Sequence, residues 1–273
     1  MKTLSAKRTI LHGLITICAC VLTLTNCHSN KGTNALPLAT ERHECLLGTF
    51  THMTGDVCPI SISIDIPVGG SRRLIDSLTV FLNETLYAYF EDGAGGHIHI
   101  PYTSVYSTDV RRLTEHYREA YAPFILADST REHRFATDRL EVNLAAQTDA
   151  YVTYEVNSIF FGEGVETATE WVTFAGSDGH RLAEIISEDE MRRFYREQPK
   201  LASLNIWEDI LNHCYEDNSL VDIVWSVGLL GDSLAHQYVY APGIFENIKY
   251  PMNAIAPYLS REAQELIKST SRR

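Results

Sequence analysis

The chain carries 35 Asp and Glu against 23 Lys and Arg over 273 residues, a formal net charge of −12. That balance argues against nucleic acid, whose binding needs Lys and Arg to displace counterions, and against lying flat on anionic lipid. Hydrophobic residues make up 45% of the chain, enough for a real core, so the composition is that of an ordinary globular protein.

The amino terminus reads as a targeting segment. Lys2, Lys7 and Arg8 give a positive start, Ile10 to Leu24 follow without a charge, and Leu24-Thr25-Asn26-Cys27 leads into polar sequence. That order resembles a bacterial lipoprotein signal, cut before a Cys whose sulfur carries diacylglycerol. A spanning helix needs about 20 apolar residues, more than the stretch offers, and the A-x-A-like site of ordinary secretion is not evident. The expectation is a signal over residues 1–26 and lipid on Cys27, with the membrane met only through that anchor. Cleavage would leave 20 Lys and Arg against 35 Asp and Glu, a net charge of −15. Such a surface steers cationic partners.

Residues 27–43 are polar, with Gly, Pro and Asn, and read as a flexible spacer. Folded sequence is expected from Glu44. Ile60, Ile62, Ile64 and Ile66 alternate with Ser61, Ser63 and Asp65, the period of a half-buried strand. Ser71 is placed to cap a helix whose apolar face is Leu74, Leu78, Leu82 and Tyr89, with Phe81 beside them. Val110, Leu113, Tyr117, Tyr121 and Phe124 predict a second helix. Leu140 to Ala146, Tyr151 to Phe161 and Thr167 to Phe174 read as strands. Ser177-Asp178-Gly179 is a turn signal. Ser187 and Glu190 fit a capping box opening a helix through Tyr195. A helix is expected around Leu204 to Cys214, then a hairpin over Val221–Gly228 and Ser233–Tyr240 turning near Gly231-Asp232. A strand near Ile244 to Tyr250 and a last helix after Ser260, with Ala263, Leu266 and Ile267 inward, complete the chain. Interspersed elements with mainly antiparallel pairing give an α+β fold, divided into subregions 44–135 and 136–273 of one compact unit.

Outside the signal, Cys45, Cys58 and Cys214 remain. Cys214 sits at helical spacing from Ile210 and Leu211 and reads as core. Cys45 and Cys58 are the nearest pair and the candidate disulfide, worth up to ~3 kcal/mol on the chain-entropy model. The spacing does not suggest zinc. His97-x-His99 would place two imidazoles on one side of a strand, but no third ligand stands nearby, so no metal and no cofactor is expected. Gly93-Ala94-Gly95-Gly96 follows a helix and lacks the Gly-Lys-Ser/Thr of a phosphate loop, so it reads as a helix stop. No G-x-S-x-G or H-E-x-x-H occurs. Glu163 and Glu166, in a strand-connecting loop, are a candidate carboxylate pair of the kind glycosidases use, although solvated loop acids are the commoner case. Aromatic residues concentrate in two paired strands, and Tyr154, Phe160, Phe161, Glu163, Glu166 and Trp171 are the candidate contact surface.

The order of elements resembles a family of bacterial lipoprotein domains of unknown function. That family includes the extracellular lysozyme-sensing region of the anti-sigma factor RsiV. The likeness lies in Ile60–Pro67 with the helix carrying Asn83, in Tyr154-Glu155-Val156 through Phe160-Phe161-Gly162-Glu163-Gly164, and in Trp171-Val172-Thr173-Phe174. It continues in Ser177 to Ile186, Tyr238 to Gly243, Ile248 to Pro251 and Ile255 to Leu259. Where the family has Ala-His after the turn, this chain has Val165 and Glu166, so no ligand role of that His transfers. The resemblance implies a non-enzymatic, envelope-anchored binding domain whose partner is a basic, lysozyme-like protein or a cell-wall glycan. The alternative is an envelope hydrolase acting on glycan or peptide.

Overall fold

A computed structural model describes residues 37–52, 54–89, 109–127, 137–161, 165–198, 201, 226–241 and 244–270. Cys27, Gly93–Gly96, His97, His99, Cys214 and the helix expected around Leu204 lie outside them.

The first elements form a hairpin. β1 (Ala39–Thr51) turns at His52–Asp56 into β2 (Val57–Gly69), antiparallel from Thr51↔Val57 to Ala39↔Gly69. The first described strand therefore begins at Ala39, five residues before Glu44. The reason is local: one face of Ala39–Glu44 meets water as an edge strand, so its charges hide the period. Ile60, Ile62, Ile64 and Ile66 are all buried, as their alternation requires.

The hairpin register also removes the disulfide. Cys58 stands opposite Phe50, whereas Cys45 stands opposite Ile62. Five residues of strand separate the two thiols along β1, roughly 15 Å at a strand's rise per residue. A disulfide tolerates at most about 7 Å between Cα atoms, and both Cys45 and Cys58 are free.

After β2 come α1 (Arg72–Tyr87) and α2 (Val110–Ala127). Ser71 caps α1 by accepting the Leu74 N–H at 3.3 Å. Leu74, Leu78, Phe81, Leu82 and Leu86 form its buried stripe, and Val110, Leu113 and Tyr117 that of α2. α1 packs against β2 and α2 against β1. This two-helix crossover delivers β3 (Arg139–Gln147) parallel to β2, as a connection of that length permits. β4 (Tyr151–Phe161) and β5 (Val165–Ala175) then add antiparallel, giving a five-stranded sheet in the order β1-β2-β3-β4-β5. The sheet joins β1 and β2 from the 44–135 side with β3, β4 and β5 from the 136–273 side.

The second half builds a smaller layer. The turn after β5 uses Gly179 at φ +78°. α3 (Glu188–Glu197) opens with Ser187 accepting the Glu190 N–H at 3.3 Å. β6 (Ser226–Leu229), β7 (Ser233–Ala241) and β8 (Ile244–Pro251) form an antiparallel sheet, with Gly231 at φ +80° turning the first hairpin. A short helix α4 (Met252–Ile255), a 3-10 turn (Ala256–Tyr258) and α5 (Arg261–Thr270) end the described chain. Two cores result. One lies between the five-stranded sheet and α1 and α2. The other gathers Ile185, Met191, Phe194, Leu234, Tyr250 and Ile255 around the small sheet. The architecture is α+β with mostly antiparallel sheets.

Candidate functional site

β4 and β5 pair without a break from Tyr151↔Ala175 to Phe161↔Val165. Because alternate residues face opposite sides, Val152, Tyr154, Val156, Val172 and Phe174 enter the first core. The opposite face meets the small sheet through a polar seam. Thr153 Oγ1 donates to the Leu229 carbonyl at 2.7 Å and lies 2.9 Å from Thr173 Oγ1. Gln237 Nε2 donates to Asn247 Oδ1 at 2.8 Å, and Asn247 Nδ2 donates to Thr169 Oγ1 at 3.1 Å. Buried hydroxyls and amides paired in this way hold two sheets in one register, since leaving any of them unpaired costs about 1–3 kcal/mol.

The candidate contact surface divides under this packing. Tyr154 is fully buried, its hydroxyl donating to the Asp65 carbonyl at 3.0 Å and its ring edge-on to Phe81 at 6.0 Å. Burial, with Asp65 nearby, pushes its phenol pKa up. Trp171 is 5% exposed. Both are packing residues, which corrects their place on a recognition face: β4 and β5 are covered on both sides there, so alternation leaves no outer aromatic. Phe160 and Phe161 are half-buried at the far end of β4, with Phe161 6.4 Å from Phe50 between ring centres. Glu163 and the Glu166 side chain lie outside the described residues.

Sequence reasoning missed the concavity beside β5. Ala175 N–H donates to the His180 carbonyl and Leu182 N–H to the Thr173 carbonyl, each at 2.9 Å, so residues 180–182 close the end of the β5 edge. Further along, Trp171 N–H donates to Ser226 Oγ at 2.7 Å and Thr169 N–H to Gln237 Oε1 at 3.0 Å. Between these closures is a cavity of about 460 Å³ lined by Glu170 to Thr173, Arg181 to Ile186, Glu188, Ser226 and Val227. That volume is within the roughly 300–1,000 Å³ of small-ligand pockets. Arg181 bridges to Glu170 at 3.2 Å and Arg192 pairs with Glu188, while Glu184 is exposed. The Trp171 indole N–H is buried without an acceptor. No local motif marks this site, because its walls come from three separate segments.

Other clusters of chemical side chains are structural in character. His43 Nε2 lies 2.7 Å from Thr114 Oγ1, and Cys45 Sγ donates to the Thr114 carbonyl at 3.7 Å. Burial lowers the His43 pKa and raises that of Cys45, the reverse of what a thiolate nucleophile needs. Tyr195 hydroxyl stands 2.8 Å from Tyr250 hydroxyl and 3.2 Å from His236 Nδ1 in the second core, where burial pushes Tyr250 up to about 12. His180 bridges two acids, with Nδ1 2.6 Å from Asp178 and Nε2 against Glu262. Among the described residues, no three His, Cys, Asp or Glu gather as a metal site, and no helix is long and apolar enough to cross a membrane.

No family model and no curated protein matches the chain. Among solved structures, it is similar to a member of the DUF3298 family from Bacteroides fragilis NCTC 9343. That comparison has a TM-score of 0.47 and 18% identity, covering 88% of this chain and 100% of the other. It is also similar to a DUF3298 family protein from Pseudomonas aeruginosa PAO1, with a TM-score of 0.42 and 14% identity, over 85% of this chain and 98% of the other.

Proposed function

We propose that this chain is a lipid-anchored, extracytoplasmic binding domain without catalytic activity, whose partner is a cationic protein of the lysozyme kind. The observation that carries the reading is charge. Beyond residue 26 the chain holds 20 Lys and Arg against 35 Asp and Glu, and acids also rim the cavity beside β5, where Glu170 pairs with Arg181 and Glu188 with Arg192 while Glu184 makes no ion pair among the described residues. A field of that sign concentrates basic partners and speeds their encounter. The signal-like segment ending at Cys27 supports an anchor. The likeness in Ile60–Pro67, Trp171–Phe174 and Ser177–Ile186 to the lysozyme-sensing family supports the partner class. Titration of hen-type lysozyme into the purified protein by calorimetry tests the reading. Saturable binding that weakens with added salt is expected. Release of fragments from peptidoglycan or a glycan panel by the protein alone would replace it with the hydrolase reading.

A further inference from the structure

We infer that the cavity beside β5 is a docking slot for a short extended peptide carrying a basic side chain. The inference deepens the reading of the protein as a binder of cationic partners and rests on it. Its first support is backbone geometry. The bonds to His180, Leu182, Ser226 and Gln237 show that Thr169, Trp171, Thr173 and Ala175 turn their N–H and C=O groups away from β4. Ala175 N–H, Thr173 C=O, Trp171 N–H and Thr169 N–H are closed by those bonds. The Trp171 C=O and the Thr173 N–H stand between the closures, on the stretch where the cavity opens, and no described residue closes onto them. One residue of an extended peptide running parallel to β5 beside Val172 satisfies both. Its N–H donates to the Trp171 carbonyl and its C=O accepts the Thr173 N–H, the pairing of a parallel bridge.

The second support is the chemistry of the walls. Of the three rim carboxylates, Glu170 and Glu188 are paired with Arg181 and Arg192, whereas Glu184 is exposed and makes no ion pair among the described residues. A Lys or Arg side chain next to the bridged residue complements Glu184. The same ligand chemistry is available from a free peptide or from an exposed segment of a folded basic protein.

The test uses the full chain in detergent and the capped tripeptide acetyl-Ala-Lys-Ala-amide, titrated by calorimetry. Saturable binding is expected. Methylating the Lys backbone nitrogen removes the donor to Trp171 and should weaken binding about tenfold, the scale of one well-placed hydrogen bond. Acetyl-Ala-Glu-Ala-amide should bind more weakly still. Ala183→Phe, at an exposed lining position, should abolish peptide binding, and Glu184→Lys should weaken it without moving the melting temperature. Absence of saturable binding, or equal affinity for the N-methyl peptide, overturns the slot. A second arm separates the sources. If the tripeptide fails to bind while lysozyme binds wild type and Ala183→Phe equally, the slot is refuted while the cationic-partner reading survives. If the tripeptide binds with the expected discrimination and no basic protein does, the slot stands for free peptide and the cationic-protein reading falls.

Discussion

Replacing Gly228 by Ala probes the junction between the two sheets. A Cβ at Gly228 would lie 2.4 Å from Trp171 Cβ, 2.8 Å from Trp171 Cγ and 3.1 Å from Thr153 Cγ2. Carbon atoms prefer about 3.5–4.0 Å, and Trp171 Cβ is fixed by its backbone, so β6 must move away from β5 by about 1 Å. Overpacking of this kind costs about 1–3 kcal/mol. The same movement stretches the bonds from Trp171 N–H to Ser226 Oγ and from Thr153 Oγ1 to the Leu229 carbonyl, both 2.7 Å, each worth about 1 kcal/mol. A loss of about 3 kcal/mol is the outcome, read as the shift in urea midpoint multiplied by the slope. Gly231→Ala is the contrast. Gly231 has φ +80° and nothing within 4 Å of an added Cβ, so only the left-handed backbone penalty applies, about 1–2 kcal/mol. A midpoint for Gly228→Ala equal to or above that of Gly231→Ala would refute the packing of β6 over Trp171.

Three further outcomes follow from the structure. Ile64, fully buried, should lose about 2–5 kcal/mol on change to Ala; an unchanged denaturation midpoint would put β2 elsewhere. His180 has its pKa raised from 6.5 by hydrogen bonds to Asp178 and then Glu262, so its tie to α5 is fully present below pH 6.5 and is lost as pH rises through the elevated folded value. Melting temperature measured across that window should fall more in wild type than in Glu262→Gln, and parallel curves would remove His180 from the account. Cys27→Ser should abolish partition into the detergent phase and incorporation of labelled fatty acid; retention of both would dismiss the anchor.

Parts of this molecule are legible in the sequence because their causes are local. The isoleucine alternation at residues 60–66, the caps at Ser71 and Ser187, and the turns at Gly179 and Gly231 each depend on a few neighbours in the chain. The missed features depend on distant ones. Ala39–Glu44 is strand because β2 offers it an edge. Tyr154 and Trp171 are interior because α1 covers one side of β4 and β5 while the small sheet covers the other, and alternation alone cannot distinguish a strand buried twice from one facing water. The Cys45–Cys58 pairing failed on hairpin register, which sets Cys58 beside Phe50. The cavity assembles Trp171, Arg181, Glu184 and Ser226 from segments whose meeting is fixed by tertiary packing.

The central claim is that an acidic, anchored domain captures a cationic partner, and the association rate against ionic strength tests it most directly. Stopped-flow mixing with hen-type lysozyme should give a rate constant well above the roughly 10⁵–10⁶ M⁻¹s⁻¹ of unsteered pairs at low salt, falling steeply as salt is added. A rate that stays flat across the salt series, or the absence of association at any salt, would contradict the account.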